Sequence, residues 1–148
     1  MASTALFTTP VAPNEVGDPR IALTAHFLQE WVPKHHDVRV TVVGQEVFAV
    51  VIDVQGSDAG IVDWRADYAS HRYHPTSIPD EVRRGLTAML ERLGLSFGVI
   101  DFVVRIDGAW VFLELNPNGQ WGWIEEATDL PISSSIASEL QRGNDDAG

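Results

Sequence analysis

The chain has no cysteine, a single lysine (Lys34), and no apolar run long enough to cross a bilayer. Without cysteine there are no disulfides and no thiolate metal sites, a usage that fits a cytoplasmic protein. A transmembrane helix needs an apolar stretch of roughly 18 residues or more. Residues 1–10 also lack the charged region and apolar core of a signal peptide, so no membrane association is expected. Basic charge is equally scarce. Ten Lys and Arg stand against 21 Asp and Glu, giving a formal net charge of −11. Nucleic-acid binders carry a basic face, and nucleic acid is therefore not an expected partner. The five His residues show no helical His-x₃-His spacing, so a histidine metal site is not expected either.

What is present fits one globular domain of the α+β class, a largely antiparallel sheet covered by helices. At 148 residues, 45% of them hydrophobic and five of them Trp, the chain can close a single core. Residues 1–20 hold Pro10, Pro13, Pro19 and Gly17-Asp18 and read as an extended, linker-like segment. Residues 21–141 read as the folded lobe, and 142–148 as a disordered tail. Gly44-Gln45 reads as a hairpin turn between strands 37–43 and 46–53. That register puts Val38, Val40 and Val42 on a core face and Asp37, Arg39 and Thr41 on the other. An acid and a base two residues apart among apolar neighbours are either an intra-sheet ion pair or part of a site. Residues 55–79 read as a polar loop. In 77–93, Val82, Leu86, Met89, Leu90 and Leu93 recur at helical spacing behind a Ser77-x-x-Asp80 capping box, with Gly94 as the stop. A last helix over 131–140 is expected to bury Ile132, Ile136 and Leu140.

The stretch with the most chemistry is 97–118, FGVIDFVVRIDGAWVFLELNPN. Asp107-Gly108 between β-branched and aromatic runs is a strong signal for a two-residue hairpin turn. With 107 and 108 as the turn, Asp101 lies opposite Glu114 and Val99 lies opposite Asn116. Side-chain alternation then puts Asp101, Glu114 and Asn116 on one face. Opposed carboxylates repel unless neutralised. Two carboxylates and an amide carbonyl are hard oxygen ligands for Mg²⁺ or Mn²⁺; the bland alternative is a solvated face with one carboxylate protonated.

These residues carry a resemblance. Asp37-Val-Arg-Val-Thr-Val-Val-Gly44, Asp63-Trp64-Arg65, Leu93-Gly94-Leu95 and the run FLELNPNGQWGWI over 112–124 resemble the ATP-grasp ligases, and more narrowly the ribosomal peptide maturases of the microviridin type. The resemblance runs over about 8–140 and implies the C-terminal ATP-grasp lobe. It further implies ATP and Mg²⁺ (or Mn²⁺) as cofactors, with the metal on Asp101, Glu114 and Asn116. Residues 21–31 would be the strand leading to the interdomain hinge. Backbone groups of Glu30, Trp31 and Val32 would hold adenine, and Asp37 would meet the ribose or orient Arg39. Arg39 would sit near phosphate, and Arg65 would face the transferring phosphate or an acyl phosphate. A surface Arg65 stacked on Trp64 is the bland alternative. Gly119, Trp121, Gly122 and Trp123 would lie beside the metal, the glycines allowing close approach of a phosphate or peptide.

The implied activity is ATP-dependent ester or amide cross-linking of a ribosomal precursor peptide, in the cytoplasm. The resemblance also implies an N-terminal region, phosphate-contacting lysines and a Gly-rich lid that this sequence does not show. A catalytically incomplete nucleotide- or peptide-binding module that needs a separate N-terminal or central lobe is thus the alternative. The reading also leaves room for a homodimer. Some relatives carry an Arg two residues before the metal Asp; here that position is Val99.

Overall fold

A computed structural model describes residues 8–54, 58–66 and 71–145. Five strands form one sheet: β1 (His36–Val43), β2 (Glu46–Val54), β3 (His71–Thr76), β4 (Phe97–Val104) and β5 (Trp110–Asn116). Their order is β3-β2-β1-β4-β5, every neighbouring pair antiparallel. The helices are α1 (Asp58–Val62), α2 (Asp80–Leu93), α3 (Gly122–Thr128) and α4 (Ile132–Asp145). The fold is α+β, as the residue pattern indicates.

Alternation along the strands divides the core in two. On one face Val38, Val40, Val42, Ala49, Val51, Ile100, Phe102 and Val104 pack against Ile78, Leu86 and Leu90 at α2. On the other, Val43 and Val50 pack against Ile124 of α3 and Ile132 of α4, with Tyr73, Trp121 and Trp123 alongside. The β1/β2 register pairs Val43 with Glu46 and Asp37 with Ile52, so the Gly44-Gln45 hairpin forms as its sequence predicts.

The second hairpin reaches the expected pairing by an unexpected route. Arg105 N donates to Ala109 O, so the loop is the three residues Ile106-Asp107-Gly108. Gly108 adopts φ 84°, a left-handed conformation that a residue without Cβ enters at little cost. This turn shifts the ladder by one, pairing Val104 with Trp110 and Phe102 with Phe112. An irregularity then leaves Leu113 as an extra residue in β5, and the ladder resumes with Asp101 opposite Glu114 and Val99 opposite Asn116. Such a bulge costs local pairing but reverses which face the following residues take. Two one-residue irregularities cancel, and the acidic pair is met as predicted.

Several sequence expectations are corrected. The 55–79 stretch is not one loop: among its described residues it holds α1, a 3₁₀ turn at Trp64–Ala66, and edge strand β3, where Pro75 is tolerated. Residues 21–31 form no strand; a 3₁₀ turn covers Pro19–Leu23, and no regular element follows before β1. Residues 8–17 are exposed, and the chain there turns on itself through Glu15 N to Ala12 O and Asp18 N to Glu15 O. Helix α2 begins at Asp80 with Pro79 as N-cap, and no side-chain capping bond forms, so the Ser77 box is absent. Leu93 and Leu140 are exposed rather than buried. Helix α4 continues through residues 141–145, part of the expected tail. The outermost residues of the two expected terminal segments, 1–7 and 146–148, and residues 55–57 and 67–70 lie outside the described residues.

Gly119 packs its α-carbon onto Val99, and a Cβ there would overlap the Val99 side chain. A Gly119→Ala variant should lose about 1–3 kcal/mol through overpacking. Gly85, mid-helix in α2 with nothing near its missing Cβ, should gain about 0.5–1 kcal/mol as Ala. Urea unfolding midpoints of the two variants should therefore move in opposite directions.

Candidate functional site

The charged groups of the chain converge on the sheet face that α3 and α4 cover. β5 sets Glu114 opposite Asp101 on one side of β4, and β1 sets Arg39 opposite Asp101 on the other. Arg39 Nη1 donates to both Asp101 carboxylate oxygens at 3.1 Å, and Nη2 donates to the Gln120 carbonyl at 3.2 Å. The Arg39 guanidinium carbon is 5.6 Å from the Trp64 ring centroid and 5.8 Å from that of Trp123. Burial raises the Asp101 carboxyl; Arg39 pulls it back, Glu114 pushes it up again, and it stands at about 6. Burial is thus the chief cause of the rise, and the pull of Arg39 does not fully offset it.

The Asp63-Trp64-Arg65 motif closes over the same face. Arg65 Nε and Nη2 donate to Asp63 at 2.9 and 2.8 Å. Thr8 N donates to the other side of the motif, reaching Asp63 at 2.9 Å. Burial would raise the Asp63 carboxyl, but these donors override it and hold the group at about 2. Arg65 is raised first by its bond to Asp63 and also by the fields of Glu114 and Asp101, so it lies within the field of the acidic pair. It does not stack on Trp64; the guanidinium that meets Trp64 is that of Arg39.

Asp37 is buried and bonded to Lys34, with a shortest N–O distance of 2.6 Å, and not to Arg39. Burial pushes its carboxyl up, Lys34 draws it down, and Asp63 raises it further. The cluster therefore resolves into Lys34–Asp37, Arg39–Asp101 and Arg65–Asp63, and Glu114 forms no ion pair among the described residues. Asn116 shares its face, its Oδ1 accepting from Asn118 N at 2.9 Å. No group of three or more His, Asp or Glu among the described residues is arranged to hold a metal. A divalent ion would instead rest on two carboxylates and one carboxamide. That all-oxygen set, with one uncompensated charge, fits a hard cation.

Glu30, Trp31 and Val32 lie outside this cluster. They belong to the irregular segment before β1, where Trp31 is exposed. The segment touches β5 through Gln29 Nε2, which donates to Leu113 O at 3.0 Å. The expected close approach of Gly119 is toward Val99 and not toward an open site. Sequence reasoning missed Lys34, Asp63 and the Gln120 carbonyl. For Lys34 a signal existed in its i,i+3 spacing to Asp37. For Asp63 it was the acid two positions before an arginine, a spacing that lets the two side chains meet across one turn.

Comparison with protein-family models and with curated proteins gave no match. Among solved structures, a RiPP-associated ATP-grasp ligase from Chryseobacterium gregarium, in complex with ADP and a leader and core peptide, is 32% identical. It matches with a TM-score of 0.71 over 76% of this chain and 34% of its own. Macrocyclase MdnC from Microcystis aeruginosa MRC, bound with precursor peptide MdnA, is 34% identical at a TM-score of 0.64, over 75% of this chain and 34% of its own. Macrocyclase MdnB from the same source is 33% identical at a TM-score of 0.61, over 76% of this chain and 40% of its own. The architecture is that of the ATP-grasp ligases. Within that class the likeness is to the ligases of ribosomal peptides, the RiPP ATP-grasp ligases, and the chain spans only about a third of their length. No helix among the described residues is long and apolar enough to cross a membrane.

The two perturbed acids carry opposite signs of linkage. Asp101, raised to about 6, penalises the fold above that pH, and the penalty is relieved as pH falls from about 6 toward the unfolded value near 4. Asp63, lowered to about 2, contributes stability above about 4 that is lost as pH falls toward 2. Metal-free protein should therefore be more stable at pH 5 than at pH 7.5, by on the order of 1 kcal/mol, and lose stability below pH 4. Scanning calorimetry across pH checks both limbs, and Asp101→Asn should remove the first while leaving the second.

Proposed function

We propose that the chain supplies the metal- and phosphate-facing lobe of an ATP-dependent ligase that activates a carboxylate and joins it to a hydroxyl or amine of a precursor peptide. The observation that carries this reading is Asp101 opposite Glu114 with one acid left unpaired, Asn116 beside them, and Arg65 within the field of the pair. Asp101, Glu114 and Asn116 would hold Mg²⁺ or Mn²⁺. When bound, the ion supplies charge neutralisation between the β- and γ-phosphates of ATP. A substrate carboxylate attacks the γ-phosphorus, releasing ADP and forming an acyl phosphate. The peptide hydroxyl or amine then attacks that acyl carbon and expels phosphate, leaving an ester or amide.

Arg65 is proposed to meet the transferring group. Its planar fork is suited to phosphate or carboxylate oxygens. Backbone groups of Glu30, Trp31 and Val32 are proposed for the adenine edge, and Asp37 for the ribose, beside Lys34. No protein nucleophile is needed, which agrees with the lack of cysteine, and the setting proposed is the cytoplasm.

The coverage of about a third of the solved relatives favours a second reading for the isolated chain: a nucleotide- or peptide-binding module that turns over only with a separate lobe. ADP release with Mg²⁺ and a candidate precursor peptide separates the two. Turnover by the chain alone supports the ligase; turnover only after adding a separately encoded lobe supports the module. In whichever preparation is active, Asp101→Asn and Glu114→Gln should each lower the rate at least 100-fold and abolish the rise in melting temperature with added Mg²⁺. Unchanged Mg²⁺-dependent melting in both variants would remove the metal site.

A further inference from the structure

We infer that Lys34 is a positioning residue: its buried bond to Asp37 latches the segment carrying Glu30, Trp31 and Val32 onto β1, and so sets how strictly that segment reads the base of a purine nucleotide. The inference deepens the proposed function and rests on those three residues meeting the adenine edge.

Residues 24–35 hold no regular element, so no helix or ladder of their own fixes their course. Three ties to the sheet do so, and each lands on a different strand. Gln29 Nε2 donates to Leu113 O of β5 at 3.0 Å. His35 N donates to Val104 O of β4 at 2.7 Å. Lys34 Nζ donates to one carboxylate oxygen of Asp37 on β1 at 2.8 Å and lies 2.6 Å from the other. Because β1, β4 and β5 are consecutive in the sheet, the segment is a strap drawn across three strands. Glu30, Trp31 and Val32 lie between the first tie and the other two. Pro33 stiffens the join, since its ring locks its own φ and restricts the backbone of Val32.

The ties are unequal in strength. The Gln29 bond is exposed, and water competes for both of its partners. The Lys34 and Asp37 side chains are only 10% and 7% exposed. Parting them would leave a buried charge uncompensated, which costs far more than losing a surface bond. Asp37 is itself held in the ladder, between Ile52 of β2 and Val103 of β4. The only lysine of the chain thus references the strap to the middle of the sheet. This matters for recognition because the edges of the two purines are opposites. Adenine presents an amino donor beside a ring-nitrogen acceptor, and guanine a carbonyl acceptor beside an N–H donor. Backbone groups held at one place favour one pattern and leave the other unpaired; groups free to shift give up that discrimination.

The test compares binding of ADP, GDP and pyrophosphate to the full chain by calorimetry, in the wild type, Lys34→Met and Lys34→Arg. Lys34→Met should weaken ADP binding about 10- to 100-fold, the cost of misplacing a recognition group, and change GDP and pyrophosphate by less than about twofold. Lys34→Arg keeps the pair and should restore most of the preference for ADP. A parallel loss of all three ligands would make Lys34 a phosphate contact and overturn the latch. An unchanged ratio of ADP to GDP affinity, in a variant that merely melts lower, would overturn it as well. Two further measurements need no nucleotide. Hydrogen exchange in Lys34→Met should quicken at the His35 amide and at residues 30–32 and stay unchanged in β2; uniform behaviour in both regions refutes the latch. Should that variant fail to fold, the wild type still decides, because one lysine gives one side-chain ¹⁵N signal. It should be slow to exchange, and a fast-exchanging signal refutes the buried pair. A slow signal in a protein that shows no preference for ADP over GDP, or binds neither, would uphold the latch and dismiss the adenine reading instead.

Discussion

Two acids of like charge facing each other across an antiparallel ladder form the constraint that shapes this molecule. The repulsion between Asp101 and Glu114 is uncomfortable in water and worse where Asp101 is drawn out of it, because a lower dielectric strengthens it. The fold answers from three directions. β1 delivers Arg39 from the adjacent strand, the 3₁₀ turn at Trp64–Ala66 delivers Arg65 from above, and β5 keeps Glu114 toward the exposed edge of the sheet. The compensation stops one charge short. A fold selected for stability alone would do better with apolar residues at these positions, since buried ion pairs rarely outperform well-packed hydrophobic ones. Their presence in a valine-rich sheet is what the proposed metal site would account for.

The two faces of the sheet divide the work. The α2 face is an ordinary apolar core, nearly all Val, Ile, Leu and Phe, and it anchors the strands. The opposite face is split along the strands: its β1/β2 side is sealed by Ile124 and Ile132, and its β4/β5 side is given over to charge. Tryptophan forms the boundary between these regions. An indole can pack on apolar neighbours with one face and meet a guanidinium with the other. This is why Trp64 and Trp123 stand where hydrophobic packing ends and the ionic cluster begins.

Legibility in the sequence followed the range of the interaction. Both hairpins and the pairing of Asp101 with Glu114 were readable, because alternation and turn residues are local signals; the three-residue loop, and with it the faces of residues 110–112, was not. The body of α2 and its Gly94 cap were readable for the same reason. Strand β3 was not: HRYHPT has no alternation of apolar residues and contains a proline, and it is a strand only because β2 offers it an edge. The pairing of Arg65 with Asp63 was local yet overlooked, since the motif was read for its arginine alone. The engagement of Arg39 lay beyond the sequence. It depends on Asp101 and Gln120, 62 and 81 positions away, and on indoles from the 3₁₀ turn at Trp64–Ala66 and from α3.

The loop of three residues and the extra Leu113 also set a rule for how this hairpin can vary. Each irregularity alone would exchange the two faces of the last four residues of β5 and send Glu114 into the α2 core; only together do they cancel. Length changes in this region are consequently governed by parity. A lineage could shorten the turn only by surrendering the bulge in the same step, and a single deletion would leave the strand intact while turning the chemistry inside out.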